Sequence, residues 1–128
     1  MSWKLALALG ALAACRNSTR EFRARLEPPV VAFLCDHDRP ADQLPSLYRK
    51  CFAVDEAQCR AVMQRKVHAC AARIIRAPVD ENNAGNLAVR VGECAGADYE
   101  TELEGKRIHS HACDIARDAY AKARVLQP

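Results

Sequence analysis

Residues 55–74 read Asp-Glu-Ala-Gln-Cys-Arg-Ala-Val-Met-Gln-Arg-Lys-Val-His-Ala-Cys-Ala-Ala-Arg-Ile, and the pattern of this stretch decides the fold class. Asp55 is a good helix N-cap, and Gln58 stands three residues later, the spacing at which each side chain can bond the other's backbone N–H. Cys59, Val62, Met63, Val67, Cys70 and Ile74 then recur at intervals of three and four, which gathers them on one face of a helix. Pro78 ends that helix. Cys59 and Cys70 share the face but stand roughly 16 Å apart along the axis, too far for a bond between them. Each must therefore join this helix to a different neighbour.

Working outward, Val30–Cys35 follows Pro29, a residue suited to a first helical turn, and predicts a short helix ending near Asp36-His37-Asp38. Arg39-Pro40 breaks it. Leu44–Phe52 predicts a second short helix with Pro45 in its first turn. Downstream, residues 80–85 are turn-rich, and Leu87, Val91, Cys94 and Ala95 return to helical spacing. Gly105 interrupts the chain before a last helix starting at Ser110 or Asp114 and carrying Ile115, Ala119, Tyr120 and Ala123. Leu87–Val91 alternates enough to keep a two-stranded alternative open. The expected class is all-α: a small disulfide-linked bundle of four to five helices over residues 30–128, with a core of Ala, Val, Leu and Cys because aromatics are few.

The N-terminus is a different kind of sequence. Lys4 precedes an uninterrupted apolar run, Leu5 to Ala14. Ten such residues rise about 15 Å as a helix, half of a hydrocarbon core, so the run fits a signal sequence rather than a permanent span. It closes Leu12-Ala13-Ala14-Cys15, which resembles the lipobox of bacterial lipoproteins. That resemblance implies removal of residues 1–14 and acylation of Cys15. An ordinary cleavage at Ala11-Leu12-Ala13, giving a soluble periplasmic protein, is the alternative. Residues 15–29 are polar and charged, end in Pro28-Pro29, and are expected to form a flexible tether. Arg16 follows the lipid-bearing position, where family members retained in the inner membrane often have aspartate, so the outer membrane is favoured.

The seven cysteines support the same division, because disulfides consume thiols in pairs. Acylation of Cys15 leaves Cys35, Cys51, Cys59, Cys70, Cys94 and Cys113 for three bridges in an oxidising compartment. Their connectivity is open among 15 possibilities. The first expectation is Cys51 with Cys59, across a chain reversal, followed by Cys70 with Cys94 and Cys35 with Cys113.

No nucleophile elbow, phosphate-cradling glycine loop, zinc-protease helix or haem-attachment motif occurs, so binding is expected rather than catalysis, with no cofactor. The one metal-like grouping is His109 and His111 next to Cys113, which Asp36, His37 and Asp38 could join. Exposed histidines before a helix are the plainer reading. Charge is divided: Arg49, Lys50, Arg60, Arg65, Lys66, Arg73 and Arg76 make the centre basic, while residues 80–104 hold seven carboxylates against Arg90 alone. Such a division serves either internal pairing or a protein partner. Nucleic acid is not expected without a basic-aromatic pattern.

The close cysteine pair of insect odorant-binding proteins and the adjacent cysteines of plant lipid-transfer proteins are both missing. The format of leader, lipobox, short tether and stiff helical domain resembles the periplasmic immunity proteins that inhibit secreted toxic hydrolases. The resemblance implies a stoichiometric protein-binding inhibitor, with no family residues to carry over. Its surface would be Asp98, Tyr99, Glu100, Glu102 and Glu104, or the loop from Asp36 to Asp42 that includes His37 and Asp38. Alternatives are a structural or small-ligand-binding envelope lipoprotein and a metal-binding protein using His109 and His111.

Overall fold

The computed structural model describes the backbone of residues 3–36 and 45–126 and the side chains of residues 18–36 and 45–123. His37, Asp38, Asp42 and Leu44 lie outside the described residues, as does the side chain of Cys15. The elements run α1 (Trp3–Cys35), α2 (Leu47–Lys50), α3 (Glu56–Ile74), α4 (Ala84–Glu102), a 3-10 turn (Glu104–Lys106) and α5 (His111–Leu126). Five helices joined by three disulfides make a small all-α bundle, as the periodicity predicts. Among the described residues, no helix is long and apolar enough to cross a membrane.

The capping box at the start of α3 is present. Asp55 Oδ1 accepts from the Gln58 N–H at 2.7 Å, and the Asp55 N–H donates to Gln58 Oε1 at 3.0 Å. Two of the four unpaired N–H groups at this helix end are satisfied that way. Before α4, Asp80 Oδ1 accepts from the N–H groups of Asn82 and Asn83, forming the tight turn that feeds the helix. Ser110 Oγ accepts from the Cys113 N–H at 3.1 Å and starts α5. The alternation at Leu87–Val91 lies inside α4, so the two-stranded alternative falls. Among the described residues, extended pairing is limited to Phe52 against Arg107, where the Ile108 N–H donates to Cys51 O and the Ala53 N–H donates to Lys106 O.

The tether is the main correction. Residues 15–29 are helical rather than coiled, and Pro28 and Pro29 lie inside α1 instead of opening a new helix. Phe22, Leu26, Val30 and Leu34, each four residues on from the last, pack against the core. That stripe gives the charged segment a buried face, and its burial offsets the backbone bonds the two prolines cannot make. Glu27 faces His68 on α3, with Oε1 2.9 Å from Nδ1.

Val67, Met63, Val91, Ala95 and Tyr99 fill the α3–α4 seam and are fully buried. Beside it stands a cluster of perpendicular rings: Tyr48–Tyr99 at 5.3 Å, Phe52–Tyr99 at 5.2 Å and Tyr48–Tyr120 at 5.8 Å. Edge-to-face pairs like these stabilise by about 0.5–1.5 kcal/mol each beyond the area they bury. The few aromatic residues therefore concentrate at the junction of α2, α4 and α5.

Three disulfides tie the elements together: Cys35–Cys59, Cys51–Cys113 and Cys70–Cys94. As the spacing on α3 requires, its two cysteines join different neighbours, Cys59 to α1 and Cys70 to α4. The expected pairs Cys51–Cys59 and Cys35–Cys113 are corrected. Cys51 is the C-cap of α2 and points to the start of α5, where the 51–53 and 106–108 segments pair. Cys59, in the first turns of α3, meets the last residue of α1. Cys51 and Cys59, at the two ends of the α2–α3 connection, are thus each bonded to a more distant partner.

Candidate functional site

The acidic surface expected to meet a partner is largely spoken for within the molecule. Glu102 takes two bonds from Arg65, at 3.2 and 2.8 Å, and an ion pair from Lys66 at 3.1 Å. Those cations, Arg65 first, hold its carboxyl down at about 2. Glu104 pairs with Arg107 at 2.7 Å and Asp98 with Arg73 at 3.1 Å. Glu100 is half-buried on α4. Tyr99 is corrected outright: it is fully buried, its hydroxyl donates to the Tyr48 carbonyl at 2.8 Å, and burial pushes its phenol up to about 12. Its place on the inward face follows from Val91, Ala95 and Tyr99 recurring every four residues. Between α3 and α4 the charges meet at two places, Glu102 with Arg65 and Lys66 and Asp98 with Arg73.

Asp36 is likewise engaged. Arg60 Nε donates to both of its carboxylate oxygens at 2.7 Å, which closes the end of α1 onto α3 and lowers the Asp36 carboxyl below its usual range. His109 and His111 are both exposed, and neither joins a group of three metal-type ligands among the described residues. The sequence grouping of these histidines with Cys113 is not assembled, because the Cys113 sulfur is bonded to Cys51.

What the fold builds instead is an apolar groove of about 490 Å³ between α1, α4 and α5. One wall is Leu26, Pro29, Val30 and Phe33 of α1, and the facing wall is Ala88, Val89 and Gly92 of α4. Tyr120 and Ala123 of α5 close the end, and among the described residues Glu93 is the one charged side chain on the lining. Phe33 and Val89 are 63% and 42% exposed, unusual for large apolar side chains. Gly92 leaves the floor open, with no atom within 4 Å of where a Cβ would stand. A volume of this size falls among ordinary small-ligand pockets, roughly 300–1,000 Å³.

None of these lining residues stood out in the sequence as a site. The signal was present in Leu26, Val30 and Phe33, spaced by four and three, but it crosses Pro28-Pro29 and runs out of a charged segment that reads as linker. Comparison with protein-family models, with curated proteins and with solved structures finds no match to this chain.

Proposed function

We propose that this chain is an exported bacterial envelope lipoprotein, carried on an acylated Cys15, that binds a small apolar ligand in the groove between α1, α4 and α5. The observation that carries the reading is the contrast between the two surfaces. Asp36, Asp98, Glu102 and Glu104 all face a cation of the chain itself, whereas the groove is an apolar cleft lined by Leu26, Val30, Ala88 and Val89, with Val89 42% exposed. The bundle is stapled on both sides of α3, so the walls are preorganised and little ordering is lost on binding. A single alkyl chain or fused-ring body suits the lining, with a hydrogen-bond-donating end at Glu93. Each buried methylene stabilises binding by about 0.8 kcal/mol, so a chain of about ten or more methylenes is what micromolar affinity, about 8 kcal/mol, requires.

The test is titration of the purified chain with a neutral phenylnaphthylamine probe, followed by displacement with alkyl amines and alcohols of increasing length. Saturable one-to-one enhancement, with displacement improving several-fold for each added pair of methylenes, is the expected result. Absence of probe binding, or displacement indifferent to chain length, overturns the reading. The anchor is tested separately: Cys15→Ser should move the protein from the membrane to the soluble fraction of the envelope.

The stoichiometric inhibitor of a secreted toxic hydrolase is the second reading. It draws on the same groove, since exposed apolar side chains on a stiff scaffold are the kind of anchor protein interfaces use. Under that reading an exported hydrolase binds the chain one to one, displaces the probe and loses its activity.

A further inference from the structure

The α3–α4 staple differs in its surroundings from the other two. Five of the six paired cysteines are buried, and Cys94 alone is partly open to solvent. Around it the structure gathers three electron-rich atoms on one guanidinium nitrogen: Arg73 Nη2 lies 3.3 Å from Cys70 Sγ, 3.0 Å from Cys94 Sγ and 3.1 Å from Asp98 Oδ2. Asp98 Oδ2 is itself 3.6 Å from Cys70 Sγ, and the three ligand-type atoms all fall within 4.8 Å of one another. While the sulfurs are bonded they carry no charge, and the Arg73 cation neutralises Asp98. Breaking the bond changes that balance sharply.

We propose that Cys70, Cys94 and Asp98 form a reduction-gated site for a thiophilic divalent cation, with Arg73 standing in for the metal in the oxidised state. The reductant is a dithiol, small or protein-borne. One of its thiolates attacks the accessible Cys94 Sγ, the Cys70–Cys94 bond breaks, and Cys70 leaves as a thiolate beside Arg73. The second donor thiol, losing its proton to water, attacks the donor sulfur of the mixed disulfide and releases Cys94 as a thiolate. The donor departs as its disulfide, and two electrons have passed to the chain. Two thiolates and a carboxylate then face a single guanidinium, and a divalent zinc-type ion offsets their three negative charges better than one guanidinium does. Two sulfurs and one oxygen make a three-ligand set with a fourth position open to water, an arrangement zinc accepts. Arg73, whose side chain is 59% exposed, can swing into solvent to make room. The two helices stay aligned because Met63 and Val67 of α3 remain packed on Val91, Ala95 and Tyr99 of α4, and Arg65 and Lys66 still hold Glu102.

The experiment treats the full chain with limiting dithiothreitol under native conditions, maps the freed thiols by alkylation and mass spectrometry, and removes the reductant anaerobically. Zn(II) is then added and the chain dialysed. Cys70 and Cys94 should be freed first, and the dithiol form should retain one zinc per chain while the oxidised form retains none. Asp98→Asn should weaken zinc binding at least tenfold. Arg73→Ala removes the competing cation and should tighten it several-fold, a gain that general damage to the fold would not produce. Earlier release of either other bridge, no zinc on the dithiol form, or zinc binding unchanged in both variants overturns the proposal.

Discussion

The Tyr99 hydroxyl donates to the backbone carbonyl of Tyr48 at 2.8 Å, a bond that ties the inward face of α4 to the single turn of α2. The bond is buried and flanked by perpendicular rings on both sides, so water cannot replace the lost partner. Tyr99→Phe should therefore cost about 1–2 kcal/mol, the penalty of an unpaired buried acceptor, and lower the melting temperature by roughly 3–6 °C. The same residue gives an alkaline signature. The phenol stays protonated to about 12 in the folded chain, while tyrosines of the unfolded chain lose their protons near 10. Between those values the unfolded state binds fewer protons, so stability falls as pH rises through the window. Denaturant titrations at pH 9 and pH 11 should show a smaller loss for Tyr99→Phe than for the parent. An equal loss would remove Tyr99 as the cause.

Much of this architecture is legible in the sequence, and the part that is not has a physical reason. Asp55, Gln58 and the apolar rhythm to Ile74 specify α3 locally, and a capping box plus a periodic face needs no distant partner to be read. Leu87 to Ala95 is similar, whereas the continuation of that face to Tyr99 shows only in the structure. The α1 helix was obscured because its stripe of Phe22, Leu26, Val30 and Leu34 is only partly apolar around it and is crossed by two prolines. Whether such a segment is helix or coil depends on the surface it packs against, which is tertiary information. Disulfide pairing is tertiary in the same way: the spacing on α3 required two different neighbours without naming them. That Asp98 and Glu102 of the acidic run meet cations of α3 follows from the docking of α4 on α3, which is tertiary information too.

Acid stability tests that docking. Glu102 stays ionised down to about 2 because Arg65 and Lys66 hold it, whereas its ordinary value is 4.5. Its contribution is complete above pH 4.5 and is lost as pH falls through 2, since the unfolded chain takes up its protons first. Solvent screens the pairs, with the Arg65 side chain 61% exposed, so the effect should be within about 1 kcal/mol. Glu102→Gln should flatten the stability profile between pH 4.5 and pH 2, and molar salt should shrink the difference between parent and variant. A profile of unchanged slope would mean that other carboxylates dominate acid unfolding.

The staples differ in what they restrain. Cys51–Cys113 closes a loop of sequence separation 62, and Cys35–Cys59 one of 24. On the chain-entropy account, these correspond to about 4 and about 3 kcal/mol of restraint on the unfolded state. Replacing both cysteines of a pair with alanine should therefore destabilise more at Cys51–Cys113, by slightly under about 1 kcal/mol. Urea midpoints of the two double variants decide it, and a reversed order would place the dominant effect in folded-state packing.

Two glycines of α4 make opposite predictions from one helix. At Gly96 an added Cβ would stand 2.8 Å from the Tyr48 ring carbon bearing the hydroxyl, and closer still to the hydroxyl oxygen. Gly96→Ala should thus cost about 1–3 kcal/mol despite alanine's better helix propensity. At Gly92 a Cβ meets nothing within 4 Å, so Gly92→Ala should be neutral or stabilising by up to about 1 kcal/mol. Gly92 also lies on the lining of the groove between α1, α4 and α5. Gly92→Leu should keep that gain in helix propensity while placing a branched side chain where an apolar ligand would lie. The expected pattern is a melting temperature equal to or above the parent's together with at least a tenfold loss of naphthylamine probe affinity. Separating the two readouts makes the test specific, because a general loss of structure would lower both. Retained probe affinity in a stable Gly92→Leu chain would show that the groove is not where the probe binds.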